Sequence, residues 1–141
     1  KSVDAGKTWD FSGLPKSRHI PRIVIHPTNP DIVYAAVLGN IYKPTAERGV
    51  YKSTDGGKNW KRVLFSNADS GAVELVMDPT NPRVLYASTW RVNRTPYSLN
   101  SGGEGSALWI GFSQHLESCK WCSCYGSFSG YDLGSLLHHE T

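Results

Sequence analysis

The sequence predicts an all-β chain: a fragment of a β-propeller, about two four-stranded antiparallel blades, followed by an irregular tail. Three observations carry that expectation. A repeat recurs at about fifty residues, each period holds four short β-rich runs, and residues 1–109 show no apolar stripe of helical spacing.

Three blocks keep the register of the repeat. Ser2-Val3-Asp4-Ala5-Gly6-Lys7-Thr8-Trp9 returns 51 positions later as Ser53-Thr54-Asp55-Gly56-Gly57-Lys58-Asn59-Trp60. His26-Pro27-Thr28-Asn29-Pro30 returns 52 positions later as Asp78-Pro79-Thr80-Asn81-Pro82. Asp31-Ile32-Val33-Tyr34-Ala35-Ala36 then matches Arg83-Val84-Leu85-Tyr86-Ala87-Ser88.

Residues 1–11 are expected to close one blade, 19–65 to form a complete blade, and 71–109 to form an incomplete one. In the complete copy the strand candidates are Arg22–His26, Ile32–Val37, Gly49–Ser53 and Trp60–Phe65. They are rich in Val, Ile, Tyr and Trp and are bounded by Pro, Asn and Gly. Asn29-Pro30 and Asn81-Pro82 punctuate the first hairpin, because proline fixes φ and donates nothing to a ladder. Four such strands in a period of this length describe a propeller blade. Single units of this kind do not bury their apolar faces alone, so the chain is expected to aggregate or fold poorly in isolation.

The match stops abruptly. Ala107-Leu108-Trp109 corresponds to Gly49-Val50-Tyr51, yet Ile110-Gly111-Phe112-Ser113 follows where a third Ser-x-Asp block is due. Residues 110–141 therefore read as a non-homologous tail, with a reading-frame shift near codon 110 as the expected cause. The tail holds Cys119, Cys122 and Cys124. A lone Cys-x-x-Cys lacks the second matched pair that a structural zinc site needs, so no metal is expected.

Composition excludes several classes. Residues 1–109 carry 14 Lys and Arg against nine Asp and Glu, and the whole chain has a net charge of +3. That is too mild to argue for nucleic acid. No apolar run reaches the roughly 18 residues of a membrane span, and no cofactor motif is present.

In the repeated Ser-x-Asp-x-Gly-x-Thr/Asn-Trp block, Asp4 and Asp55 are placed to accept turn N–H groups. Gly6 and Gly57 can supply positive φ, and Trp9 and Trp60 offer apolar area to pin the hairpin. Ser2 and Ser53 complete the set, to which a structural role is assigned. The block resembles the Asp-box, or BNR repeat, of sialidases, sortilin-type propellers, xyloglucan-active glycoside hydrolases and a photosystem II assembly factor. Longer stretches, among them Glu47-Arg48-Gly49-Val50-Tyr51-Lys52-Ser53 and Arg94-Thr95-Pro96-Tyr97, resemble the sortilin-like and glycosyl hydrolase BNR-repeat proteins over residues 1–109.

That resemblance implies a box at the blade periphery, a ligand over the central channel, and an extracytoplasmic or secreted location. Channel-face loops would then be Phe11–Pro21, Leu38–Arg48, Ser66–Ala72 and Thr89–Ser106. The last exceeds the roughly 12–15 residues beyond which loops are usually functional or disordered. In it, Arg91 and Arg94 suit a carboxylate, and Trp90 and Tyr97 suit the apolar face of a sugar. Glu47 and Asp69 are the candidate catalytic acids, since glycoside hydrolysis needs a carboxyl pair. His19 is a further acid/base candidate with a structural alternative, and His26, standing where the other repeat has Asp78, reads as a turn acceptor.

The expected function is that of a piece of a carbohydrate-active, glycosyl-hydrolase-like propeller, inactive by itself. The alternatives are a non-catalytic sortilin-like propeller binding peptide or protein, or an assembly scaffold. Expected partners are a carbohydrate or peptide on the channel face and the remaining blades of the same chain.

Overall fold

A computed structural model describes the backbone of residues 1–115 and 118–123 and the side chains of residues 1–112. The described chain is all-β, with no helix, and its nine strands form two antiparallel sheets. The first sheet is a meander of β1 (Arg22–Ile25), β2 (Val33–Val37), β3 (Gly49–Ser53) and β4 (Lys61–Leu64), in that order. The second contains β5 (Ser70–Met77), β6 (Val84–Arg94), β8 (Ala107–His115) and β9 (Ser118–Ser123), with β7 (Leu99–Ser101) paired to the far end of β6. This is the blade-like arrangement that the repeat predicts.

The register repeats along with the sequence. Val24 stands opposite Tyr34 as Val76 stands opposite Tyr86, and Val50 faces Ala36 as Leu108 faces Ser88. A one-residue slip would turn every apolar side chain to the other face, so hydrophobic pattern and pairing fix each other.

The core lies between the sheets. Tyr34, Ala36, Val50 and Leu64 of the first sheet pack with Ala72, Leu75, Leu85 and Ala87 of the second. Val24, Met77 and Trp109 close its margins. An ion pair, Arg22 Nε to Glu74 Oε1 at 2.9 Å, bridges β1 to β5 at the rim of this junction.

Two segments are more regular than their sequence suggests. Thr89–Ser106, expected as a loop, is largely a hairpin, because β6 runs on to Arg94 and pairs through Val92–Arg94 with Leu99–Ser101. The Trp-Arg-Val-Asn-Arg run retains β-forming side chains, and Val92 is buried. Past Trp109, where an irregular tail is expected, β8 continues to His115 and β9 pairs with it. Edge pairing needs only backbone groups, which any sequence supplies. The Cys119, Cys122 and Cys124 side chains and the Gly126–Gly134 run lie outside what is described.

Candidate functional site

Hairpin connectivity brings the four segments expected to form the channel face together at one end of both sheets, and hydrogen bonds join them in series. Leu38 N–H donates to His19 O at 3.0 Å, and His19 Nδ1 lies 2.8 Å from Gly39 O. Thr45 N–H donates to Ala68 O at 3.0 Å, and Arg94 N–H donates to Ile41 O at 2.8 Å. Ser70 Oγ donates to Glu104 O at 3.1 Å. His19 therefore serves as a loop fastener, the structural alternative of the two readings.

At the centre of this convergence is Arg48, only 1% exposed. Its Nη1 donates to Asp69 O, and its Nη2 donates to Asn40 O at 2.6 Å and reaches Lys43 O and Val92 O at 3.3 Å. One guanidinium thus gathers carbonyls from its own loop, from the start of β5 and from β6. Burial lowers its pKa from the ordinary arginine value, and the Asp69 charge acts in the opposite direction. The group stays protonated, as guanidinium does in proteins. In the sequence Arg48 is simply the neighbour of the candidate acid Glu47 at the end of the Leu38–Arg48 loop. Nothing in a one-dimensional pattern distinguishes an arginine that will be buried among carbonyls from a solvated one.

The two candidate acids lie on the segments that Arg48 joins. Glu47 accepts the Tyr51 hydroxyl on its backbone carbonyl at 3.0 Å. It also lines a pocket of about 180 Å³ with Leu14, Pro15, Lys16, Ser17 and Tyr51. Burial raises the Tyr51 phenol above its usual pKa. Asp69 does not line that pocket. Its carbonyl is held by Arg48 and by Val92 N–H at 3.3 Å, and its amide donates to Asn67 Oδ1 at 3.0 Å.

The four candidate ligand residues ride on the β6–β7 hairpin or its tip. Trp90 Nε1 donates to Ser101 Oγ at 2.9 Å, which orients the indole across the hairpin. The Arg91 amide donates to Ser106 Oγ at 2.9 Å, and the Arg91 and Arg94 side chains are exposed. Tyr97, 98% exposed, sits on a turn closed by Thr95 N–H donating to Ser98 O at 2.8 Å.

The repeated Ser-x-Asp block folds the same way twice. Asp4 Oδ1 accepts Thr8 N–H at 2.9 Å and Asp4 Oδ2 accepts Thr8 Oγ1 at 2.7 Å. Asp55 does the same for Asn59 N–H at 2.9 Å and Asn59 Nδ2 at 2.7 Å. Gly6 and Gly57 hold φ of +86° and +91°, where a Cβ would be strained. These hydrogen bonds, the Thr8 backbone bond foremost, lower the Asp4 pKa to about 2, and the Asn59 backbone bond leads the lowering at Asp55. Both carboxylates are spent on their own turns. His26 is also a turn acceptor, its Nδ1 lying 3.4 Å from Thr28 N. Asp78 takes Thr80 N–H at 2.8 Å in the other repeat. No group of three His, Cys, Asp or Glu side chains among the described residues could hold a metal ion. No helix among them is long and apolar enough to cross a membrane.

No protein-family model matches the chain, and no solved structure matches it either. Two curated proteins do. The vacuolar protein sorting/targeting protein 10 of Kluyveromyces lactis is 34% identical over 80 residues, 53% of this chain and 5% of that protein. A xyloglucanase of Hypocrea jecorina is 26% identical over 132 residues, 87% of this chain and 15% of the enzyme. That 87% of 141 residues is more than residues 1–109 can supply, so the second similarity reaches past Trp109. The chain spans a small part of either relative, and it is similar to a sorting protein and to a glycan-degrading enzyme.

Proposed function

We propose that this chain belongs to a carbohydrate-active, glycosyl-hydrolase-like propeller and that its β6–β7 hairpin contacts the glycan. The observation that carries the reading is the placement of Trp90, Arg91, Arg94 and Tyr97 on one projecting hairpin, with both guanidinium groups and the phenol exposed. Aromatic faces stack on the apolar faces of pyranose rings, and guanidinium groups donate to hydroxyl or carboxylate oxygens. The similarity to a xyloglucanase supports the same substrate class. Glu47 and Asp69 are the proposed acids. Retention of configuration would require their carboxyls to be about 5–5.5 Å apart, and inversion about 6.5–9.5 Å. The repeated Ser-x-Asp turns take the peripheral, structural role of Asp-boxes.

The similarity to a vacuolar sorting protein supports a second reading, a peptide- or protein-binding propeller that uses the same hairpin without chemistry. Reducing-sugar release from xyloglucan, measured on the full-length protein, separates the two. On the enzyme reading, Glu47→Gln and Asp69→Asn each abolish release, and Trp90→Ala with Tyr97→Ala weakens glycan binding by about tenfold. Release that survives both acid changes removes the acids from the site. Absence of both glycan binding and release overturns the carbohydrate reading in favour of the sorting-type one.

A further inference from the structure

Arg48 is the most buried charged side chain among the described residues, and stability is a poor account of it. Desolvating a cation is costly, and an apolar side chain of similar volume often stabilises a core at least as well. The burial is also incompletely compensated, because Arg48 Nε and the nearby Thr45 Oγ1 are buried without a hydrogen-bond partner. What an apolar residue could not do is hold carbonyls from three segments at one point. Arg48 does so with Asn40 and Lys43 of its own loop, Asp69 just before β5, and Val92 of β6.

Those segments carry the two proposed acids. Glu47 is joined to Arg48 through one planar peptide, and its carbonyl accepts the Tyr51 hydroxyl at 3.0 Å. Asp69 gives its carbonyl to Arg48 Nη1 and to Val92 N–H at 3.3 Å, and its amide to Asn67 Oδ1 at 3.0 Å. Thr45 N–H to Ala68 O, at 3.0 Å, is a second tie beside the guanidinium contact. The main chain of each acid is thus held, while neither carboxyl takes a hydrogen bond among the described residues. Asp4 and Asp55, by contrast, commit both oxygens to their own turns.

We infer that Arg48 is the positioning residue of the reaction proposed above. Through Asp69 O and its own peptide bond to Glu47 it sets the separation of the two carboxyls, and through Val92 O it sets the β6–β7 hairpin against them. The inference rests on the enzyme reading of Glu47 and Asp69. At 1% exposure Arg48 is too buried to touch a glycan, so it acts only through the groups that it holds. Carboxyl spacing decides between retention and inversion, and a misplacement of about 1 Å costs about 10²-fold in rate.

Rates of the full-length protein on two substrates test it. One is xyloglucan, whose leaving group must be protonated by an acid. The other is the dinitrophenyl glycoside of a xyloglucan oligosaccharide, whose leaving group needs almost no protonation. A smaller folded fraction lowers both rates equally and leaves their ratio alone. Arg48→Lys keeps the charge and loses the planar fork. It is expected to lower xyloglucan cleavage about 10²-fold and the ratio of xyloglucan to aryl glycoside rate about tenfold. Gly39→Ala keeps Arg48 and displaces it, since the added Cβ would lie 2.7 Å from Arg48 Cγ and 2.8 Å from Thr45 Oγ1. It is expected to lower the ratio in the same direction by less, and it decides alone should Arg48→Lys yield no folded protein. Cleavage that Glu47→Gln and Asp69→Asn abolish, with a ratio unchanged by the Arg48 and Gly39 variants, overturns this inference alone. A wild type that cleaves neither substrate, or acid variants that keep xyloglucan cleavage, overturns the enzyme reading and this inference with it.

Discussion

The turns at residues 2–9 and 53–60 share a hydrogen-bond scheme almost atom for atom but differ in how they join the body of the molecule. In both, the serine hydroxyl donates to the aspartate Oδ1, at 2.8 Å from Ser2 and 2.7 Å from Ser53. In both, it accepts the glycine N–H, at 2.7 Å from Gly6 and 2.8 Å from Gly57. Each tryptophan Nε1 donates back to the glycine carbonyl, at 3.1 Å for Trp9 and 3.0 Å for Trp60. Beyond that the two diverge. Trp9 is 75% exposed, whereas Trp60 is half-buried and also donates to Ser12 O at 2.8 Å. A Cβ on Gly13 would lie 2.8 Å from the Trp60 ring, so the 12–13 backbone reaches the indole only because residue 13 is glycine. Turn shape is thus encoded within eight residues, while attachment is encoded in a segment far away in sequence.

The largest consequence concerns the two tryptophans. Trp60→Ala removes packed indole area and one of the two hydrogen bonds that tie Ser12 to the turn, leaving the one from Ser12 Oγ to Gly57 O, and is expected to cost about 2–3 kcal/mol of stability. Trp9→Ala removes an exposed ring whose polar partner is in its own loop, and is expected to stay within about 0.5 kcal/mol. Urea denaturation of the two variants against wild type measures both. Equal losses would mean that the shared local scheme, and not the contact with residues 12–13, sets the contribution of each turn.

The same distinction explains which features were legible in the sequence. Strand positions, the repeat and the turn acceptors depend on neighbours a few residues away, so the Ser-x-Asp pattern and the His26–Asp78 correspondence could be read directly. The burial of Arg48 depends on carbonyls from residues 40, 69 and 92 arriving at one point, and no local pattern encodes that. The long reach of β6 was obscured for a related reason. Polar residues such as Asn93 and Arg94 look like loop, but their backbone groups find partners on β7 and on Ile41. The Glu47 pocket likewise appears only when Leu14–Ser17 folds over Tyr51.

Acid should weaken both turns together, because their carboxylates are stabilised by their own loops. The Asp4 carboxyl titrates at about 2 in the folded chain against 3.8 unperturbed, and Asp55 is lowered as well. A depressed folded pKa means that the stabilisation is fully present above the unfolded value and fades as pH falls through the folded one. The thermal midpoint is therefore expected to fall between about pH 4 and about pH 2, by less than the Trp60→Ala effect. In Asp4→Asn/Asp55→Asn part of that decline should disappear, with Asp78, which is shifted in the same direction by Thr80, accounting for some of the remainder. An undiminished acid limb in the double variant would show that neither turn carboxylate governs it.

The smallest expected effect lies at the one backbone position where the two turns use different residues under the same demand. Ala5 holds φ of +60°, and its counterpart Gly56 holds φ of +69°. A non-glycine residue in this region pays roughly 1–2 kcal/mol, and glycine repays part of that through the greater freedom of the unfolded chain. Ala5→Gly should therefore change stability by less than about 1 kcal/mol and in the stabilising direction. Gly56→Ala should destabilise by about 1 kcal/mol. The Cβ it adds would lie 2.8 Å from Lys1 Nζ, the mobile end of a side chain that can swing away, so strain rather than collision sets the cost. Denaturation midpoints of the two variants should move in opposite directions. Destabilisation by both would show that the second turn tolerates a side chain less well than the first, and stabilisation by both that it tolerates one better, for a reason outside the backbone angle they share.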